Sequence, residues 1–117
     1  MTMPDKTLQF LEKFKSDFEK MKTAAPDMVK GFGGLFQSVM KDGALKKKEK
    51  ELVALGIAVA QRCEPCINLH VQKSLEAGNS PAEILEAASV AVMMQGGPAY
   101  THIPVVIDAL ESLAPKT

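Results

Sequence analysis

The sequence predicts an all-α protein of about six helices, and three observations carry that expectation. Apolar residues recur at alternating three- and four-residue steps, the spacing of a helix face. Proline, serine and glycine stand where helices start and stop. Nowhere does a Val/Ile/Thr alternation run between Gly or Asn turns, as a strand requires. At 117 residues the chain is expected to form a single domain, 1–117, with one core.

The elements follow in order. From about Pro4 to Lys22, the residues Leu8, Leu11, Phe14, Phe18 and Met21 form one stripe, with Glu12, Lys13, Lys15, Asp17 and Lys20 off it. Ala24-Ala25-Pro26 breaks that pattern, and Pro26 suits the first position of a second helix. This helix runs to about Lys41 and is expected to bury Val29, Phe32, Leu35, Phe36, Val39 and Met40. Gly31, Gly33 and Gly34 within it either permit a close helix contact or break it. Asp42-Gly43 is a stop signal. The charged run from Leu45 to Glu51 opens a third helix, which continues through Leu52–Ala60 as an apolar segment and is expected to be the buried central helix. Its lysines read as a solvated helix start, because acidic residues interleave and no glycine-rich cradle precedes them. Pro65 marks the first turn of a fourth helix reaching about Ala77, with Cys63 at its N-terminus and Gly78 as its C-terminal glycine. Ser80-Pro81-Ala82-Glu83 carries a capping box for a fifth helix, ending near Met94. Gln95-Gly96-Gly97-Pro98 closes it. A last helix from about Ala99 carries Ile103, Val106, Ile107, Leu110 and Leu113.

Composition narrows the function classes. Fourteen basic residues balance fourteen acidic ones, so no global field points to nucleic acid or a membrane surface. No apolar run approaches the ~20 residues of a membrane span, and no secretory signal is visible. The expectation is a cytoplasmic protein. In that compartment a close cysteine pair is more often redox-active or metal-bound than a structural bridge. Hydrophobic residues make up 46% of the chain, which leaves apolar surface to bury against further copies.

Chemistry concentrates in Cys63-Glu64-Pro65-Cys66-Ile67-Asn68-Leu69-His70, which holds both cysteines and one of the two histidines. A helix N-terminus favours thiolate over thiol. Cys63 and Cys66 are three residues apart, so their sulfurs can join with little backbone movement. His70 lies one turn beyond Cys66, about 40° round the helix, where an imidazole can serve that sulfur as a base. Two other readings stay open. A fixed structural disulfide would close a very short loop and restrict the unfolded chain little. A zinc site from Cys63, Cys66, His70 and His102 has suitable ligand types, provided that His102 folds back to the same point. Alone, His102 reads as a surface or hydrogen-bonded histidine.

Glu51-x11-Cys63-x-x-Cys66-x3-His70, with Gly78 and the Ser80-Pro81-Ala82-Glu83 helix start, resembles the alkylhydroperoxidase D-like branch of the carboxymuconolactone decarboxylase superfamily. The similarity runs from about Leu45 to Gly96-Gly97-Pro98, roughly half of the chain. It implies an oligomeric helical bundle, often trimeric or hexameric. It also implies a dithiol that cycles through a disulfide with a histidine and a glutamate relaying the proton. Carried over by residue, Cys66 is the peroxide-attacking thiolate and Cys63 the more exposed resolving partner. His70 is the proton acceptor, and Glu51 orients it. Spacing alone does not single out Glu51, which otherwise reads as a solvated helix-start glutamate. Pro65 departs from the pattern: better-known family peroxidases carry a histidine between the cysteines, a second possible base.

The reading is therefore a thiol-dependent peroxidase or disulfide oxidoreductase without cofactor or metal. It takes a peroxide or disulfide substrate and is reduced by an external dithiol or redox protein. A lactone-acid decarboxylase is the alternative within the superfamily, although Arg62 is the only arginine available to hold a carboxylate. A non-catalytic redox-sensing oligomer is the alternative outside enzymes.

Overall fold

A computed structural model of the chain describes residues 4–115; residues 1–3 and 116–117 of the expected domain lie outside the described residues. The fold is all-α, with no strand among the described residues.

Helix α1 (Lys6–Ala24) begins at Asp5, whose carboxylate accepts from the Leu8 N–H at 3.0 Å and from the Ser112 hydroxyl at 2.8 Å. The first of these bonds is the main reason that the Asp5 carboxyl is held below its ordinary range. Helix α2 (Pro26–Met40) opens on Pro26 as expected. Its C-terminus is closed by Lys50, whose ammonium donates to the Val39 and Lys41 carbonyls, each at 2.7 Å. Asp42 then accepts from the Lys47 N–H at 2.7 Å, so α3 (Lys47–Ala60) starts two residues after Leu45. Helix α4 (Glu64–Glu76) follows Cys63. Helix α5 (Pro81–Gln95) has the full capping box, with Ser80 Oγ 3.1 Å from the Glu83 nitrogen and Glu83 Oε1 2.8 Å from the Ser80 nitrogen.

The expected last helix is in fact two. A single turn, α6 (Gly97–Tyr100), is followed by α7 (Ile103–Leu113). Pro104 explains the break, since it has no N–H to offer the Tyr100 carbonyl and is tolerated only in the first turn of a new helix, where it stands in α7.

Helix α3 is central: it packs chiefly on α5 and α4, and α4 packs in turn on α7. The core is formed by Leu55 and Val59 from α3, Ile67 and Val71 from α4, Ile84 and Ala88 from α5, and Val106 and Ala109 from α7, all fully buried. These side chains are mostly small or β-branched, so the helices approach closely.

The burial expected for two of the helices is corrected. Helix α2 buries none of its residues, and Phe32, Leu35 and Val39 are each more than half exposed. Its apolar face pairs with α1 and, through Phe36, reaches α4, but no further layer covers the rest, so most of that face stays open to solvent. The glycines of α2 neither break the helix nor serve a close contact, because a Cβ at any of the three would meet open space. Helix α3 is buried on one side only; Val53 and Ile57 project outward beside Val90 and Met94 of α5. The accessible surface of 7958 Å² exceeds by about 1,700 Å² what a compact monomer of this mass exposes. The radius of gyration, 14.8 Å, is likewise above the ~13.4 Å of a compact chain this long.

Two stability measurements follow. In denaturant titration, Leu55→Ala costs about 3 kcal/mol, because its cavity is sealed by close-packed helices. The capping box adds a pH signature. The Glu83 carboxyl is held below its ordinary range, first by the Ser80 N–H. A depressed carboxyl contributes stability above its unfolded pKa and loses it as pH falls through the folded pKa. The melting-temperature advantage of the wild type over Glu83→Gln therefore shrinks on acidification through the carboxylate range, and a constant difference would contradict this.

Candidate active site

The site is built where α3 hands over to α4. Helix α3 ends in a Schellman-type turn. The Arg62 N–H bonds the Val59 carbonyl at 3.0 Å, and the Cys63 N–H reaches back to the Ala58 carbonyl at 3.1 Å. That reversal leaves Cys63 extended, as the residue that caps α4. An N-cap side chain accepts from the second or third helical N–H. Here the second helical residue is Pro65, which has no N–H, so the Cys66 N–H donates to Cys63 Sγ at 3.2 Å. The sulfur is thereby drawn over the positive end of α4, where negative charge on sulfur is stabilised.

Cys63 and Cys66 are joined in a disulfide, with their Cα atoms 5.2 Å apart. Both are half-buried. Cys66 packs against the core, whereas Cys63 is not part of that cluster.

Four residues on, His70 meets Glu51 from α3, with Nδ1 2.8 Å from Oε1. Glu51 is fully buried, against the reading of a solvated helix-start glutamate, and its Oε2 has no hydrogen-bond partner among the described residues. A carboxylate in its ionised form only accepts, and with that form this bond has Nδ1 as the donor and Nε2 as the ring nitrogen free to take a proton. The contact holds the imidazole ring against α3. Sequence spacing could not find it, because nineteen residues and a helix reversal separate the partners; only the family resemblance pointed there.

Two further residues were not anticipated at the site. Phe36 of α2 stacks on the His70 ring, with centroids 6.2 Å apart and planes 21° from parallel. The Lys73 ammonium lies 5.2 Å from the centroid of the same phenyl ring. Phe36 is also part of the wall of an apolar groove of about 570 Å³ between α1 and α2, lined among others by Phe14, Phe18, Met28 and Phe32. The periodicity placed Phe36 on an apolar face, with no signal linking that face to His70. Asn68 Oδ1, between Cys66 and His70 in sequence, is buried without a partner among the described residues. Such orphaned acceptors suit an ordered water or a bound polar group.

The other histidine stays apart. His102 Nδ1 is 2.8 Å from the Pro98 carbonyl at the α6–α7 junction, and Tyr100 is 68% exposed. No three His, Cys, Asp or Glu side chains among the described residues are grouped to hold a metal ion.

The model of the carboxymuconolactone decarboxylase family matches residues 26–103, and the chain belongs to that family. It is similar to an uncharacterized protein of the cox locus of Paracoccus denitrificans, 35% identical over 70% of this chain and 74% of the relative. Among solved structures, a carboxymuconolactone decarboxylase family protein from Legionella pneumophila superposes with a TM-score of 0.90 at 34% identity, covering 96% of this chain and 100% of that one. A Thermotoga maritima member, described as a candidate participant in an antioxidative response, gives 0.79 at 30% identity, with 90% and 89% covered.

A buried carboxylate with one unpartnered oxygen is a poor stabiliser of a core. Replacing both partners by apolar side chains of similar volume, Glu51→Met with His70→Leu, therefore raises the unfolding free energy by about 1 kcal/mol in denaturant titration. A loss of several kcal/mol would show that the Glu51–His70 bond holds the fold instead.

Proposed function

We propose that the protein is a thiol-dependent peroxidase or disulfide oxidoreductase, in which Cys66 is the attacking thiolate and Cys63 the resolving thiol. The observation that carries this reading is the joined Cys63–Cys66 pair at the start of α4, on the same helix as a histidine anchored by a buried glutamate. In the reduced protein, His70 Nε2 takes the Cys66 proton. The Cys66 thiolate attacks one peroxide oxygen; the O–O bond breaks, and the leaving alkoxide or hydroxide is protonated from His70. Cys66 is left as a sulfenic acid. Cys63 attacks its sulfur, water leaves, and the disulfide forms. Two electrons from an external dithiol or redox protein return the pair to thiols. Pro65 supplies no second base near Cys63, so His70 alone handles protons on this route.

The same reading places the protein in the cytoplasm, where cellular thiols keep such a pair in turnover. No helix among the described residues is long and apolar enough to cross a membrane. It also includes assembly into a homo-oligomer of three or six copies. A standard interface removes about 800 Å² from each partner. The excess surface of this chain, carried by the α1–α2 face and the α3–α5 face, is of that order for one or two contacts.

The deciding experiment counts free thiols and intact mass before and after one equivalent of peroxide. Two thiols falling to none with a single internal disulfide is the expected result; two thiols untouched would end the peroxidase reading. Cys66→Ser abolishes peroxide consumption, and His70→Ala slows it about 100-fold, the usual contribution of a positioned base. Light scattering at working concentration gives a multiple of the chain mass, and a monomer would refute the assembly.

A further inference from the structure

One residue beside the dithiol sits where its chemistry is least expected. Arg62 has a left-handed backbone, φ 57°, and is the only non-glycine residue with positive φ among the described residues. The turn it occupies is built a second time in the chain. At the end of α4, the Gly78 N–H bonds the Leu75 carbonyl and the Asn79 N–H bonds the Ser74 carbonyl, both at 3.0 Å. There the left-handed position holds Gly78, φ 101°, the residue that sterics favour. At the end of α3 the same position holds an arginine, although an L side chain is strained in that region. Strain kept beside a reactive group points to a use for the side chain.

What that side chain offers is an uncommitted guanidinium. Arg62 is exposed, and among the described residues no carboxylate lies within salt-bridge distance of its guanidinium and no side-chain hydrogen bond holds it. It is the single arginine among fourteen basic residues, and a guanidinium grips a carboxylate or sulfonate with two parallel bonds where an ammonium cannot. It immediately precedes Cys63, the sulfur not packed into the core.

We propose that Arg62 determines specificity for the reductant, favouring thiols that carry an anionic group close to their sulfur. This rests on the reading of Cys63–Cys66 as a redox couple. The incoming thiolate attacks Cys63 Sγ, the Cys63–Cys66 bond breaks, and its electron pair leaves on Cys66 at the positive end of α4. A mixed disulfide now sits on Cys63. A second thiolate attacks the external sulfur of that bond, forming the external disulfide and releasing Cys63 as thiolate. Two external thiols are oxidised, one protein disulfide is reduced, and the two thiol protons end on the two cysteines. Arg62 acts by holding the anion while the first sulfur–sulfur bond forms.

The test compares 2-mercaptoethanesulfonate with 2-mercaptoethanol, which share a skeleton and differ in charge. Both are used at matched thiolate concentration and low salt, with opening of the disulfide followed by quenched alkylation and intact mass. The wild type favours the sulfonate about fivefold, what one charge pair in a water-like dielectric yields. In Arg62→Gly the ratio falls to about one, Arg62→Lys restores part of it, and added salt erases it in the wild type. Arg62→Gly also melts a few degrees higher, since the strain is relieved, which separates lost preference from lost fold. Arg62→Asn, neutral and tolerant of the left-handed region, gives the same ratio as glycine. A ratio unchanged between wild type and both neutral variants overturns the proposal. A disulfide that neither thiol opens in the wild type overturns the redox reading, and this inference with it.

Discussion

The hydrogen bond between Glu51 and His70 crosses from α3 to α4 inside the molecule, and the rest of the site is arranged around its demands. A carboxylate removed from water needs a partner that compensates its lost hydration, and here one oxygen has the imidazole while the other has none. Such a group adds little to stability. What it does hold is the neighbouring ring, in one orientation across the helix pair. Helices α3 and α4 must therefore meet at a fixed register, and the short reversal through Arg62 and Cys63 sets it.

That reversal does two things with few residues. It turns the chain so that Cys63 caps α4, and it aims the open N–H groups of the new helix at sulfur. Pro65 contributes by what it lacks: with no N–H at the second helical position, the cap is made to Cys66, and the two cysteines are drawn together by the backbone itself. The capping interaction and the disulfide thus use the same sulfur atom of Cys63.

The outer helices follow a different logic. Helices α1 and α2 are amphipathic enough to promise a buried face, yet in the single chain they touch α3, α4 and α7 only along part of their length and leave between them a groove whose wall includes Phe36, the ring stacked on His70. A second apolar face lies on α3 and α5, away from the groove. A domain this small cannot wrap all its apolar surface around one core. The surplus stays on the outside, in contact with the site through one aromatic ring.

Much of this architecture was legible in the residues alone. Pro26, the Ser80–Glu83 box and Gly78 marked helix ends because capping and proline sterics are local. The CxxC and His70 stood out because a dithiol, a helix start and a base all fall within eight residues. The break before α7 is local as well, but Pro104 lies in a strongly apolar run whose helical spacing continues across it. Burial was less legible, since a periodic apolar stripe says which face seeks cover and not whether the chain itself supplies it; Phe32 and Leu35 show the difference. What the tertiary structure alone decided is the company each side chain keeps. Glu51 meets His70, and Phe36 meets the same ring, only when α3, α4 and α2 pack, because a hydrogen bond or a stacking contact depends on distance in space and not on separation along the chain.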